Sequence, residues 1–291
     1  MNDPIDLMTE CTICETLASA DAPTPRALGL SRPYGALVGD FLIRQGMLTP
    51  GSRIIELGGG YGSLMKGLLD AHGSMVHSVI MADLSRHLVG VQRRHLAEYG
   101  RKIFHVVADI HELPFTRFPA DLVLVNEVMG DLDTVTDLDA SELAGDIDDL
   151  VRGYGLDVPR QGTFHLNIGA IRLVEDLCRL GPACFLTEHA CDPVVPEHMP
   201  YLANGMDLDS CPRRIDLQGH AEYTIRFSHL VKVARALGRE VRTGPLVELL
   251  GLAPGPSWRF IFTARACATH GQSCVYEFLD HVREYRWITI S

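Results

Sequence analysis

The sequence has few basic residues and no long hydrophobic run. Its 291 residues include 26 lysines and arginines against 37 aspartates and glutamates, which gives a formal net charge of -11. Because phosphate groups attract basic surfaces, we expect no nucleic-acid partner, whereas a basic substrate or protein would suit this charge. Because no stretch approaches the roughly 18 to 20 apolar residues that span a bilayer, we also expect no membrane partner.

Aromatic residues are scarce as well, at 7%, but hydrophobic residues as a group reach 46%. That proportion is typical of a globular chain with a substantial core and excludes a disordered one. The sequence also lacks internal repeats and low-complexity linkers. These absences favour one main domain with insertions; whether it forms a homodimer stays open.

The first residues contain acidic side chains but no basic segment, unlike a secretory signal. We therefore expect a cytoplasmic protein in which the eight cysteines are reduced thiols. Cys11 and Cys14 form a C-x-x-C pair, but the second pair that many zinc sites need is missing. The sequence shows no convincing metal-ligand cluster elsewhere, so we predict no metal.

Apolar segments alternate with helix-like segments along most of the chain. Buried strands that alternate with helices form mainly parallel sheets covered on both faces, so the pattern predicts an α/β fold. The predicted strands cover residues 53–57, 76–82, 103–108, 121–125, 184–187, a segment near 241, and 258–263.

The same pattern suggests how the chain is organised. We predict an N-terminal helical cap over residues 1–48, a main domain over 49–266, and an ambiguous tail over 267–291. Two segments, 128–164 and 190–222, are long for plain connections. Both follow the carboxyl ends of strands, where ligands bind in open α/β sheets, so we expect them to act as lids.

A glycine-rich turn over residues 58–62 follows the first predicted strand. Glycine permits a tight turn and lets a ligand approach the backbone closely. Asp83 ends the next strand, where its carboxylate can hydrogen-bond two ribose hydroxyls. Together these features suit either NAD or S-adenosylmethionine (SAM).

The order of the glycines favours SAM. In the NAD pattern G-x-G-x-x-G, the third glycine would fall at Ser63. The segment E-L-G-G-G-Y-G at 56–62 instead resembles motif I of the class I SAM-dependent methyltransferases, E-x-G-x-G-x-G. Asp109 resembles the acidic residue that meets the adenine amino group in that family. Asn126 and Glu127 resemble its motif at the end of the fourth strand, beside the sulfonium.

This resemblance covers about residues 50 to 265. It implies a Rossmann-like, seven-stranded sheet in which the predicted strand at 258–263 is the terminal antiparallel one. Asp83 and Asp109 could also serve as helix N-caps, a role that does not exclude ligand binding. The implied cofactor-binding residues are Glu56, Leu57, Gly58, Gly59, Gly60, Gly62, Asp83, Leu84, Asp109, Ile110, Asn126 and Glu127.

Three stretches more narrowly resemble the MidA-type family, which includes the mitochondrial complex I assembly methyltransferase that acts on a protein arginine. They are YGALV at 34–38, NEVMGD at 126–131 and DLQGHAEYT at 216–224. The second and third each carry one more residue than the family pattern, and the proline expected after the second is missing. The resemblance implies a protein arginine as the methyl acceptor.

The acidic charge is concentrated in the first predicted lid. Between Asp131 and Asp149 there are eight acidic residues and no lysine or arginine. Such a lid could attract a cationic acceptor, or it could simply be a solvated surface. Two other possibilities stay open, a small-molecule O-, N- or S-methyltransferase and a SAM-binding assembly factor without transfer activity.

An arginine acceptor needs carboxylates that orient its guanidinium and accept its proton. Glu127 and Glu188 each lie just past the carboxyl end of a predicted strand and are our candidates. For a hydroxyl, thiol or carboxylic acceptor, His189 or His220 could act as the base. Either histidine could also be purely structural.

Overall fold

The computed structural model describes residues 12–113, 119–217 and 220–291. Cys11 lies outside the described residues, and Cys14 carries a free thiol. Two residues of the 216–224 stretch also lie outside them. Within these ranges, no helix combines the length and apolar character needed to cross a membrane.

The described residues form strands and helices that alternate over most of the chain. The strands are β1 (Ser52–Leu57), β2 (Val76–Asp83), β3 (Ile103–Val107), β4 (Leu122–Asn126), β5 (Val135–Asp139), β6 (Thr163–Leu166), β7 (Ala183–His189), β8 (Arg214–Asp216), β9 (Ala221–Tyr223), β10 (Val241–Pro245) and β11 (Tyr285–Ile290). The helices are α1 (Ile13–Thr16), α2 (Pro23–Leu28), α3 (Tyr34–Arg44), α4 (Ser63–His72), α5 (Arg86–His95), α6 (Gly145–Tyr154), α7 (Ile168–Leu180), α8 (Phe227–Ala236), α9 (Leu246–Leu249), α10 (Trp258–Ala264) and α11 (His270–Val282).

Seven of these strands form one sheet in the order β10-β11-β7-β4-β1-β2-β3. The pairs from β7 to β3 are parallel, and β11 is antiparallel to both of its neighbours. Side chains alternate between the two faces, so that Leu122 and Leu124 of β4 pack into one core while Val123 and Val125 pack into the other. The predicted Rossmann-like, seven-stranded α/β fold is therefore confirmed.

The terminal strand was predicted in the wrong place. Residues 258–263 belong to helix α10, in which Trp258, Ile261 and Phe262 are buried at helical spacing while Phe260 is exposed. Their aromatic and β-branched composition suggested a strand, but their burial follows a period of 3.6. The antiparallel strand is β11, which lies between β10 and β7. The predicted boundary at 266 is therefore wrong, because the tail completes the central sheet.

The predicted lids contain small structures of their own. Segment 128–164 includes β5, which pairs antiparallel with β6, and helix α6. Segment 190–222 includes β8, which pairs antiparallel with β9. Each insertion therefore adds a two-stranded ribbon beside the main sheet.

Helices α3 and α4 cross at two glycines, which brings the N-terminal helices close against the main sheet. A Cβ atom on Gly35 would lie 1.9 Å from the carbonyl oxygen of Leu64 and 2.7 Å from the amide nitrogen of Leu68. Backbone atoms cannot move aside as a flexible side chain can. A Cβ on Gly67 would in turn lie 3.2 Å from the Cα of Gly35.

We predict that Gly35→Ala lowers the free energy of unfolding by about 1 to 3 kcal/mol, because overpacking forces the two helices apart. Gly153→Ala in α6 is the matched control, since a Cβ there would have nothing within 4 Å. That variant should be neutral or stabilising by up to about 1 kcal/mol. Urea unfolding measures both, and equal stability of the two variants would contradict the proposed close approach.

Candidate active site

A cavity of about 560 Å³ opens at the carboxyl ends of the parallel strands. The predicted lid segments contribute their ends to its wall, through residues 128, 131–133, 215, 217 and 222. The predicted site residues that line it are Gly58, Gly60, Asp83, Leu84, Asp109, Ile110, Glu127, Glu188 and His189.

The glycine turn connects β1 to α4 at the floor of this cavity. Gly58, Gly60 and Gly62 have φ angles of +65°, +51° and +87°, which side chains rarely adopt. A Cβ on Gly58 would also lie 2.4 Å from the side chain of Val128. Both the backbone conformation and the available space therefore require glycine at the start of this turn.

Glu56 lies beneath the turn, in the last part of β1. Its side chain is 3% exposed, and its Oε2 atom has no hydrogen-bond partner among the described residues. Burial, with a smaller contribution from Asp83, raises the pKa of Glu56 to about 8. An unpaired buried carboxyl group is costly, so this side chain suits a ligand that brings a hydrogen-bond donor or a positive charge.

The two acidic strand ends act as local caps and also face the cavity. Asp83 accepts hydrogen bonds from the amide of Ser85 at 2.9 Å and from Nε2 of Gln92 at 3.2 Å. Asp109 accepts from the amide of His111 at 2.9 Å. Because a carboxylate has about four acceptor positions, these bonds leave each group able to bind a ligand.

Asn126 contacts the N-terminal helices and does not line the cavity. Its Oδ1 accepts from the hydroxyls of Tyr34 and Thr187 at 2.8 and 2.7 Å. Its Nδ2 donates to Oε2 of Glu127 at 3.1 Å and to the sulfur of Cys14 at 3.3 Å. Among the predicted cofactor residues, those that do not line the cavity are Asn126, Glu56, Leu57, Gly59 and Gly62.

Glu127 lines the cavity and also fixes the start of α1. Its Oε1 accepts from the amide of Ile13 at 3.1 Å. Its φ of +51° is unusual for a residue with a side chain, and such strain is found mostly at functional sites. Burial raises the pKa of Glu127 to about 7, although the hydrogen bonds from Ile13 and Asn126 oppose that rise.

We predict that Glu127→Ala lowers the free energy of unfolding by about 0.5 to 2 kcal/mol, because the amide of Ile13 loses its acceptor. Glu127→Gln keeps an acceptor oxygen, so its free energy of unfolding should fall less.

Because the pKa of Glu127 is raised from 4.5 to about 7 on folding, wild-type stability should fall as the pH rises through that interval. The stability of the glutamine variant relative to that of the wild type should therefore increase between pH 5 and about 7. Urea unfolding at several pH values measures these stabilities. If Glu127→Ala were as stable as the wild type, the proposed contribution of Glu127 to the start of α1 would be refuted.

Glu188 is almost fully enclosed at the end of β7. It is 4% exposed and accepts from the amides of Gly130 at 3.1 Å and His189 at 2.8 Å. Burial raises the pKa of Glu188 well above its ordinary value. The two amides hold the side chain in place.

His189 lies at the end of β7 and contacts residues at the start of β11. Its Nε2 lies 2.7 Å from Oε2 of Glu284, and its ring stacks on Tyr285 with 5.1 Å between centroids. Glu284 also accepts from Arg213 at 2.6 Å. Although burial opposes it, the contacts with His189 and Arg213 lower the pKa of Glu284 to about 2. This ion-pair network gives His189 a structural role in addition to its place on the wall.

His220 does not line the cavity itself but contacts two residues that do. Its Nε2 lies 3.3 Å from Oε1 of Glu222 and 3.6 Å from Oδ1 of Asp131. The sequence showed no convincing metal-ligand cluster, yet the fold brings these three side chains together. His220 and Glu222 are neighbours in the sequence, but Asp131 lies far from them along the chain, so the sequence did not indicate the complete cluster.

Sequence reasoning missed Asp133, Glu222, His281 and Tyr285 as wall residues. Glu222 lies in the 216–224 stretch, where a signal was available. Tyr285 and His281 were missed because the last strand was misplaced. No lysine or arginine belongs to the described lining, whereas its carboxylates are those of Asp83, Asp109, Glu127, Asp131, Asp133, Glu188 and Glu222. The described lining is therefore strongly acidic.

The comparisons with known proteins agree with this geometry. Residues 54–152 match the model of a methyltransferase domain family. The chain is 35% identical, over 88 residues, to a ubiquinone/menaquinone biosynthesis C-methyltransferase, UbiE, of Coxiella burnetii. That match spans 30% of this chain and 35% of the relative.

Similarity to solved structures extends over almost the whole chain. An uncharacterised protein of Burkholderia thailandensis matches with a TM-score of 0.60 and 16% identity, covering 94% of this chain and 80% of that one. The chain has the fold of the class I methyltransferases. A second protein from the same organism, described as a likely methyltransferase and bound to S-adenosyl-homocysteine, matches with a TM-score of 0.56 and 17% identity, covering 94% of this chain and 78% of that one.

Proposed function

We propose that the protein is a SAM-dependent methyltransferase. The observation that carries this proposal is the glycine turn at the floor of the cavity. Asp83 lies beside this turn, and beneath it lies Glu56, whose Oε2 atom has no hydrogen-bond partner among the described residues. The matched methyltransferase domain and the neighbour that binds S-adenosyl-homocysteine support it.

The residues present fit SAM. Glu56 would accept from the ammonium of its methionine part, and Asp83 from the ribose hydroxyls. Asp109 would meet the adenine amino group, while Leu84 and Ile110 provide apolar surface for the ring. Leu84 is 57% exposed, so a ligand that covered it would remove apolar area from water.

SAM supplies an electrophilic methyl group, and positioning of the acceptor accounts for much of the acceleration in such a displacement. The described walls would hold the acceptor and limit the access of water. Glu127 would orient it, because its carboxylate lies on the wall at the end of β4 and is fixed by Ile13 and Asn126. Its pKa of about 7 also suits the transfer of a proton near neutral pH.

We infer that the acceptor is a cationic nitrogen, with a protein arginine as the first candidate. The support is the acidic wall formed by Glu127, Asp131, Asp133, Glu188 and Glu222, without a lysine or arginine in the described lining. A small-molecule acceptor is the second candidate, because the cavity volume is within the usual range for small ligands. A cytoplasmic location and the lack of a nucleic-acid partner remain predictions, and whether the protein forms a homodimer stays open.

We predict that SAM binding at pH 7 releases close to one proton. The pKa of Glu56 is about 8 without a ligand, so most of the group is protonated at pH 7. An ammonium placed beside it favours the ionised form and lowers that pKa. SAM affinity should therefore rise with pH up to about 8 and then level off. Calorimetry in buffers of different ionisation enthalpy measures the released proton.

Two variants control this measurement. Glu56→Gln should bind SAM more weakly and without proton release. Asp109→Asn should also bind more weakly but keep the release, since Glu56 is intact. Equal proton release by wild type and Glu56→Gln would contradict the assignment of Glu56 to the ammonium.

Transfer itself is tested with methyl-labelled SAM and an arginine-rich peptide. The wild type should label the peptide, and Asp83→Asn should lose labelling together with SAM affinity. If Glu127 orients the acceptor, Glu127→Gln should lower kcat at least about tenfold with SAM affinity nearly unchanged. Labelling of small molecules alone in a cell extract would favour the second acceptor class. SAM binding without any transfer would favour a binding factor.

A further inference from the structure

Three side chains with metal-binding atoms converge beside the acidic wall. Asp131 ends the short helix that follows β4, whereas His220 and Glu222 come from the β8–β9 ribbon. The Nε2 atom of His220 lies 3.3 Å from Oε1 of Glu222 and 3.6 Å from Oδ1 of Asp131. One ligand atom from each residue fits within 4.8 Å of the others. Ligand atoms that each lie about 2 Å from one metal ion are at most about 4 Å apart, and the two distances from Nε2 of His220 are within that limit.

We propose that Asp131, His220 and Glu222 bind one divalent metal ion. A histidine with two carboxylates suits ions such as Mn²⁺ and Zn²⁺. The two carboxylates balance the charge of the ion, so the remaining acids of the wall keep their attraction for a cationic acceptor. Three protein ligands also leave a coordination position for water or an acceptor atom.

The main alternative is that a protonated His220 forms ion pairs with Asp131 and Glu222. Its other ring nitrogen, Nδ1, is buried and has no hydrogen-bond partner among the described residues. An imidazolium would therefore bury an unpaired donor on a charged ring, which costs more than the same defect on a neutral ring. A neutral imidazole that binds a metal through Nε2 avoids that charge.

A metal ion at this position would fasten the β8–β9 ribbon to the end of β4. Asp131 and Glu222 both line the cavity, as do Ile215 and Leu217 of the same ribbon. The ion would therefore complete one wall of the cavity as well as offer a coordination position to the acceptor. This role is independent of SAM, whose proposed contacts lie at Glu56, Asp83 and Asp109.

The test uses Mn²⁺ and the full chain after treatment with a chelator. Electron paramagnetic resonance follows the loss of the free Mn²⁺ signal, and we expect one ion bound per chain. Asp131→Asn and His220→Gln should each weaken binding at least tenfold. Asp133→Asn is the matched control, because Asp133 lines the same wall outside the cluster, and it should change the affinity less than twofold.

The absence of stoichiometric Mn²⁺ binding would overturn the proposal. Equal weakening by Asp131→Asn and Asp133→Asn would also overturn it, because the ion would then be attracted only by the general charge of the wall. Circular dichroism checks the fold of each variant, and Glu222→Gln repeats the test if one variant is unfolded. SAM affinity is measured separately, so loss of SAM binding with Mn²⁺ binding retained would refute the proposed function and not the metal site.

Discussion

The candidate site depends on carboxyl groups enclosed at the carboxyl edge of a parallel sheet. Burial disfavours the charged form of such a group, and it raises the pKa of Glu56, Glu127, Asp131 and Glu188. The fold tolerates this cost because backbone amides point at several of these groups. Glu188 accepts from two amides and Glu127 from the amide of Ile13, whereas one oxygen of Glu56 has no partner among the described residues.

Under the proposed function, this difference divides the cavity into a cofactor half and an acceptor half. The half at the glycine turn has one acid with an oxygen that has no partner among the described residues, which favours a ligand with a positive group. The other half has several acids held on separate elements, from β4, β7 and the β8–β9 ribbon. Its geometry therefore depends on how those elements pack, and it can be adapted to different acceptors without changing the cofactor half.

The parts that could be predicted from the sequence are mostly local. The β1–turn–α4 unit is continuous in the chain, and the positions of its glycines indicate where the backbone has positive φ angles. Asp83 and Asp109 were predictable because strand ends of a parallel sheet share one edge. The strand at 285–290 was not, because aromatic residues at 258–263 fit a strand equally well by composition. Only tertiary packing decides between them.

Contacts between distant segments could not be predicted from the sequence either. Nothing near Glu127 indicates that its carboxylate binds the amide of Ile13, more than a hundred residues earlier. The cluster of Asp131, His220 and Glu222 likewise exists only because the β8–β9 ribbon folds back towards the end of β4. In contrast, Asn126 was correctly placed at a strand end, but its partners turned out to be Tyr34, Thr187 and Cys14.

The position of β11 has a consequence for the order of folding. Strands β1, β2 and β3 follow one another in the first part of the chain and pair in that order, so this part of the sheet can form from contacts between neighbouring segments. Strand β7 completes its pairing only with β11, almost a hundred residues later, where Tyr285 lies opposite His189. Because distant pairings close large loops, they form slowly. Under the proposed function, the cofactor half of the cavity should therefore assemble before the acceptor half.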